Sequence, residues 1–372
     1  MKGLIMIAIQ SNFLKWAKQL NSKVPSLGAR IRRTACEKLA ADRTAQAVPF
    51  LVSALANSDQ EVRRIAEEGL RSLDKPESVD ALSFSYVFTR QESLRQILKT
   101  LGCEVSENAE LPAVEPGESA PEFTAAEKAW HLENDKDGTQ LAFIPEGDFL
   151  AGPDNFKVHL GPYYLALACV TNAQFARFLT ECRPNTHKLA GWVKLGHDSA
   201  GIRKTGDIYE PDRAKANLPV VWVTWQGATA YCKWAGLRLP GELEWEKGAR
   251  GVDGRLYPWG NEWEQGRPLP TTDERKPEQI TSVWAYPTSR SAYGLYQMIG
   301  NVYEWCADSY EQDAYERYSR GDLRPPPQAE HKVLRGGPWC FGTPVHIRTE
   351  YRDSTVWRAG TLLSGFRCAK NL

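Results

Sequence analysis

The chain has 372 residues, with 46 Lys and Arg against 46 Asp and Glu and a net charge of zero. That balance excludes a broad basic field, so neither nucleic acid nor an anionic membrane is predicted as a partner. Charged residues at 25% and hydrophobic residues at 42% suit a globular protein, and the length exceeds one ordinary core, so two or three domains are expected.

The apolar run from Leu4 to Ile9 is too short to span a bilayer, and no clear cleavage site follows it. It continues through Phe13, Leu14, Trp16, Ala17 and Leu20, which reads as a first helix, so the protein is expected in the cytoplasm. The next signal is a repeat. The stretch from Ile31 to Leu39 matches Val62 to Leu70 at an offset of 31 residues, and Val48, Leu51 and Leu70 match Val79, Leu82 and Leu101 at the same offset. Apolar residues recur at helical spacing within each unit, and Asn57-Ser58-Asp59 supplies a turn and a cap. Paired helices at this period resemble HEAT repeats, which stack because one unit cannot bury its own apolar face. The third copy is degenerate and suits a terminal cap. The Arg-Arg pairs of each second helix are expected on a solvated face.

Residues 106–122 are acidic, proline-bearing and poor in apolar side chains, which predicts a linker between a helical domain at 1–105 and a second domain at 123–372. A short helix is expected within 123–132. Alternation from Leu141 to Gly152 predicts a hairpin turning at Glu146-Gly147-Asp148, and Val158 to Leu165 reads as another strand. Two amphipathic helices are expected, one from Val170 to Leu179 and one from Thr224 to Ala235. Eleven of the 13 Trp fall between Trp192 and Trp357, which predicts large rigid fillers or an aromatic binding surface.

The stretches "FIPEGDFLAG", "VTNAQFARFL", "LPVVWVTWQGATAYCKWAGLRLPGELEWEKGARG", "YPWGNEW", "YGLYQMIGNVYEWCAD", "VLRGGPW" and "GFRC" occur in one order over about 230 residues. Together they resemble the sulfatase-modifying-factor family of formylglycine-generating enzymes and sulfoxide synthases. The resemblance implies an α+β domain of C-type-lectin-like fold, with a twisted antiparallel sheet, two helices and long ordered loops. The whole chain is then multidomain: an α-helical HEAT-like unit followed by a formylglycine-generating-enzyme-like domain. Arg238, Glu244 and Arg250 are expected to pin loops as ion pairs.

In formylglycine-generating enzymes an R-G-G-S segment leads to two cysteines five residues apart, which hold copper(I) as soft thiolates. Counted from Arg335-Gly336-Gly337, the two positions fall here on Phe341 and His346, and the Ser position is Pro338. Cys340 is one residue early, and in an extended segment that turns its side chain to the other face. No catalytic residue is assigned on this reading. The three-histidine iron site of the sulfoxide synthases has no counterpart, since His131 and His159 lack the H-x-x-x-H-x-E spacing. The eight cysteines form no C-x-x-C pair and read as buried free thiols. The resemblance further implies a structural calcium ion on Asn301 and Glu304; the alternative at these positions is a turn-stabilising hydrogen-bond pair. No other cofactor is expected.

What remains is a binding scaffold. Residues 340–364, between the two terminal motifs, carry the residue types that partners engage, and the expected ligand-binding set is Trp339, Phe341, His346, Arg348, Tyr351, Arg352, Trp357 and Arg358. Three functions stay open: a non-catalytic recognition or scaffold protein meeting protein partners through the repeats and the 340–364 surface, a divergent metal-dependent oxidase, and a structural subunit of a larger complex.

Overall fold

The computed structural model describes residues 12–22, 24, 27–107, 109–114, 117, 119–197, 199–263, 280–338 and 344–372. Six helices come first: α1 (12–20), α2 (Gly28–Asp42), α3 (Val48–Ala54), α4 (Gln60–Arg71), α5 (Pro76–Thr89) and α6 (Glu92–Thr100). They stack as the repeat predicts, with α2 against α4 and α3 against both α4 and α5. The predicted stripe Val62, Ile65, Ala66 and Leu70 is the buried face of α4, and Asp59 caps that helix by accepting from the Glu61 N–H. Gly69 lets α4 approach α2 closely, since a Cβ there would meet Ala40 Cβ at 2.6 Å. The Arg-Arg pairs lie outward and are paired: Arg33 with Asp59, Arg64 with Glu61 and Glu68.

The third copy does not end the stack in water. Phe84, Ser85, Tyr86, Val87, Phe88 and Thr89 of α5 are all buried, because a further helix, α7 (Ala125–Trp130), and the carboxy-terminal domain cover that side. Trp130 donates its indole N–H to the Ala81 carbonyl at 3.0 Å, Phe88 packs on Tyr293 at 5.1 Å, and Phe50 packs on Phe143 at 5.2 Å. One apolar core therefore runs from the repeats into the second domain.

That domain is built on two four-stranded sheets. The first has the order β1 (His131–Glu133), β2 (Gln140–Ile144), β5 (Tyr163–Ala166), β12 (Ala369–Asn371), all antiparallel. The second has the order β10 (Asp353–Val356), β9 (His331–Arg335), β8 (Tyr303–Ser309), β11 (Ser364–Gly365). Two hairpins stand apart, β3 (Gly147–Ala151) with β4 (Phe156–Leu160) and β6 (Ile202–Thr205) with β7 (Ile208–Pro211). The expected hairpin about Glu146 is not formed. β2 and β3 flank that turn but belong to different sheets, because β2 buries against β5 while β3 takes β4. The expected strand from Val158 to Leu165 is likewise divided between β4 and β5 at Gly161-Pro162.

The two predicted helices are α8 (Asn172–Cys182) and α10 (Trp225–Ala235), with α9 (Thr186–Trp192) between them. Thr171 starts α8 with a capping box to Gln174, and Thr224 caps α10 at Gly227. Periodicity missed α11 (Glu242–Arg250), because this helix is buried nearly all round, charged residues included. A last helix, α12 (Ala314–Ser319), packs on β4. No helix among the described residues is long and apolar enough to cross a membrane.

Residues 106–122 fall between α6 and α7, and those described do not hang free. Ala109 and Leu111 pack against the core, and arginines hold the backbone. Guanidinium donors to main-chain carbonyls have no signature in composition, which is why the segment reads as a loose tether in the sequence.

Candidate functional site

The second sheet carries the region of interest. β9 ends in Arg335, and Gly336 and Gly337 follow with φ of 94° and 63°. Gly337 is required because a Cβ there would meet the His346 carbonyl at 2.6 Å. The returning chain forms a short 3-10 turn at Pro344–Ile347 and then becomes the edge strand β10. Trp339, Cys340 and Phe341 lie outside the described residues. His346 is half-buried, its ring edge-on to Tyr351 at 5.1 Å.

Beneath this return lies a cluster of buried charges. Arg335 donates to Glu242 at 3.0 Å, to Glu246 at 3.1 Å, to the Tyr315 hydroxyl at 2.7 Å and to the Thr349 carbonyl at 2.7 Å. Arg250 takes the other oxygen of Glu246 at 3.0 Å, and Tyr315 donates to Glu246. Two carboxylates thus face three guanidiniums, the third being Arg352, which forks onto Glu242 at 2.6 and 2.9 Å. Arg352 also donates to the Glu311 and Gln312 carbonyls and lies against Tyr310 and Tyr315, with only 9% of its side chain exposed. It is an internal tie, so its expected place in a ligand-binding surface is corrected. Buried charges survive only where paired and hydrogen-bonded, and Arg352 shares Glu242 with Arg335. The arginines of the loops do form ion pairs, but Arg250 takes Glu246, while Glu244 goes to Arg238 at 2.6 and 2.7 Å.

The remaining predicted residues divide. Arg348 is part-exposed beside Glu350. Tyr351 is half-buried and packs on the core. Trp357 and Arg358 reach the surface together, with the guanidinium 4.3 Å from the indole centroid. Next to them stands a residue that the sequence did not single out. Trp222 has φ of 60°, a left-handed conformation unusual for a bulky side chain. Two loops hold it there: its N–H donates to the Thr361 carbonyl at 2.8 Å, and its carbonyl accepts from the Lys194 N–H at 3.2 Å. Gly360 must be glycine, since a Cβ would meet the Trp222 carbonyl at 2.4 Å. The Trp222 indole stacks on exposed His197 at 3.8 Å and 5° and donates to Ser199 Oγ at 2.8 Å. Trp225 N–H reaches the Trp357 carbonyl at 3.1 Å, so both patches share one frame. Lys194, His197 and Trp222 thus meet in one aromatic and cationic cluster, and the loop that holds it also carries Trp357 and Arg358.

Neither metal that the resemblance raises fits the donors present. Copper(I) needs the thiolate pair, and Phe341 and His346 hold those positions. For calcium, Glu304 is 1% exposed and both of its oxygens are taken: Oε2 by Arg367 Nε at 2.6 Å and Trp245 Nε1 at 2.8 Å, Oε1 by Arg367 Nη2 at 2.7 Å and the Cys169 thiol at 3.2 Å. Asn301, at φ of 58°, spends its side chain on Thr281 and Gln297. The alternative of a hydrogen-bonded turn describes Asn301, and Glu304 is the counter-ion of a buried arginine. Among the described residues no group of three His, Cys, Asp or Glu is placed to hold a metal. The described cysteines are mostly buried, with Cys182 exposed and Cys103 half-buried. Burial pushes the Cys169 and Cys306 thiols well above their ordinary value, so neither is a poised nucleophile.

Comparison with known proteins adds the following. Residues 128–372 match the sulfatase-modifying factor enzyme 1-like domain, and residues 26–86 match HEAT repeats. A serine/threonine-protein kinase pkn1 of Chlamydia pneumoniae is 39% identical over 246 residues, which cover 63% of this chain and 38% of the relative. This chain therefore spans well under half of that protein. The mouse inactive C-alpha-formylglycine-generating enzyme 2 is 31% identical over 278 residues, 62% of this chain and 85% of the relative. The formylglycine-generating enzyme of Thermomonospora curvata is 37% identical over 282 residues, 62% of this chain and 92% of the relative.

Proposed function

This chain belongs to the sulfatase-modifying factor enzyme 1-like family, and from that premise we propose that it is a non-catalytic recognition or scaffold protein whose carboxy-terminal domain binds a protein partner. The observation that carries the reading is the loss of the thiol pair: Phe341 and His346 cannot supply the two thiolates on which the family's chemistry rests. Relatives named as active and as inactive enzymes are similarly close, so membership alone does not decide activity. The match to less than two-fifths of a kinase-named protein suits a module that joins different companions.

The binding surface we assign is the face of Trp222, His197, Lys194, Trp357 and Arg358, together with Trp339, Phe341, His346 and Arg348 from the expected set. Large aromatics beside arginine, on loops held by a rigid sheet, are the residue types that dominate protein interfaces. HEAT repeats suggest a second protein contact. The reading keeps the protein in the cytoplasm, which suits single cysteines with no C-x-x-C pair.

The test is to incubate the purified protein with a sulfatase-type cysteine peptide and copper and to follow the peptide by mass spectrometry. No aldehyde is expected. Formylglycine that disappears in Cys340→Ser would establish an oxidase instead. Trp357→Ala should then lose partner capture while melting stays close to that of the natural chain.

A further inference from the structure

The segment with linker composition is gripped from both sides of the seam between the two regions. On the helical side Arg90, which ends α5, donates from Nη1 to the Glu107 carbonyl and from Nη2 to the Ala109 carbonyl, both at 2.7 Å. Arg95 adds an ion pair to the Glu107 carboxylate at 2.7 Å. On the other side Arg290, 7% exposed, donates from Nη2 to the Pro112 carbonyl at 2.5 Å. Its Nε is held by the Pro287 carbonyl at 2.9 Å and its Nη1 faces Glu127 at 3.6 Å, so its reach is fixed before the segment arrives. Between these grips Leu111 packs on the core. A separate cavity of about 550 Å³ lies beside the held segment, bounded by Pro258, Trp259 and residues 109–114 themselves.

The chemistry of these contacts defines what the seam accepts. Arg90 and Arg290 read three main-chain carbonyls, which every peptide has, and Arg90 takes its two at a turn that the Ala109 N–H closes on the Ser106 carbonyl at 3.1 Å. Proline lacks an N–H that would need a partner, and its fixed φ lowers the entropy lost on ordering, so a proline such as Pro112, whose carbonyl Arg290 reads, suits this site. Arg95 favours an acidic residue at the start. We propose that this seam is a recognition site for an acidic, proline-containing peptide that enters through a turn, and that Glu107 and residues 109–112 occupy it in cis. A tethered occupant acts at an effective concentration on the order of millimolar, so a partner peptide must bind well enough to displace it. The segment is thus both a latch between the two regions and a threshold for the partner.

The probe is a fluorescein-labelled synthetic peptide with the sequence of residues 104–117, titrated by fluorescence polarisation against full-length proteins. The first is the natural chain. The second has residues 106–114 replaced by Gly and Ser at equal length, and the third adds Arg90→Ala to that replacement. The second protein should bind the peptide about tenfold or more tighter than either of the others. Equal affinity for all three, or no binding to a second protein that still melts cooperatively, overturns the proposal. Should the replaced chain fail to melt cooperatively, Arg90→Ala in the natural chain decides. It should raise the rate of protease cleavage within residues 104–117 by about tenfold, because release of the latch exposes the backbone. An unchanged rate overturns the proposal.

Discussion

In the helical repeats the charges lie outside, and in the carboxy-terminal domain many of them lie inside. Arg64 bridges Glu61 and Glu68 with 53% of its side chain in solvent, and Arg71 reaches Glu67 with 40% exposed. Arg335 and Arg367 are fully buried with their carboxylates. The difference follows from how each region satisfies its backbone. A helix pairs its own carbonyls, so its side chains are free to divide into a buried apolar stripe and a wet polar face. A domain of short strands and long loops leaves carbonyls inside that no ladder reaches. There the arginine fork supplies the missing donors. Arg367 donates to Ala166, Leu167 and Tyr296 carbonyls, Arg250 to those of Gly152 and Gly254, and Arg335 to that of Thr349. A carboxylate beside each arginine then balances its charge.

The largest expected effect breaks one such pair. Arg367→Met should cost about 3–5 kcal/mol in urea unfolding, because Glu304 is left buried without its counter-ion and three carbonyls lose a donor. A loss under about 1 kcal/mol would mean that the buried arginines are not what holds the domain. Next comes the apolar seam. Phe143 touches Phe50 across the boundary and Trp130 and Tyr164 on its own side, and Phe143→Ala should cost about 3 kcal/mol. Calorimetry of the natural chain should show one transition, since the core is continuous. Two separate transitions would show that the regions fold independently and would sink that claim.

A more gradual effect, spread over several pH units, is set by pH. His131 sits at the junction of α7 and β1, with Nδ1 buried and without a partner. Burial, helped by nearby Arg290, pushes its ring down from 6.5 to about 3. Between those values the unfolded chain binds a proton that the folded chain refuses. Stability should therefore fall as pH drops through that window, by at most about 1.4 kcal/mol per pH unit from this residue. His131→Phe should flatten the curve relative to the natural chain; parallel curves would mean that His131 is not the cause. The smallest effect lies on the repeats. Arg64→Ala should leave the urea midpoint within error, because an exposed pair is screened by water and salt. A clear drop there would erase the contrast between the regions.

The sequence by itself determined the elements whose cause is local. The repeat period set the stacked helices, Asp59, Thr171 and Thr224 marked helix starts, and the ordered motifs gave the family and the Phe341 and His346 departure from it. The buried helix α11 was not legible, since a helix covered on all sides shows no polar face to give it a period. Nor was the parting of β2 from β3, because alternation reports which residues are buried and not which strand pairs with which. Tertiary structure alone decided that Arg352 is an internal tie, that Glu304 belongs to Arg367, and that Trp222 stacks on His197 under the loop that carries Trp357 and Arg358. It also decided that the linker is latched. Each of these rests on where a guanidinium or an indole meets a partner tens or hundreds of residues away or in another loop, and such contacts leave no periodicity in the sequence.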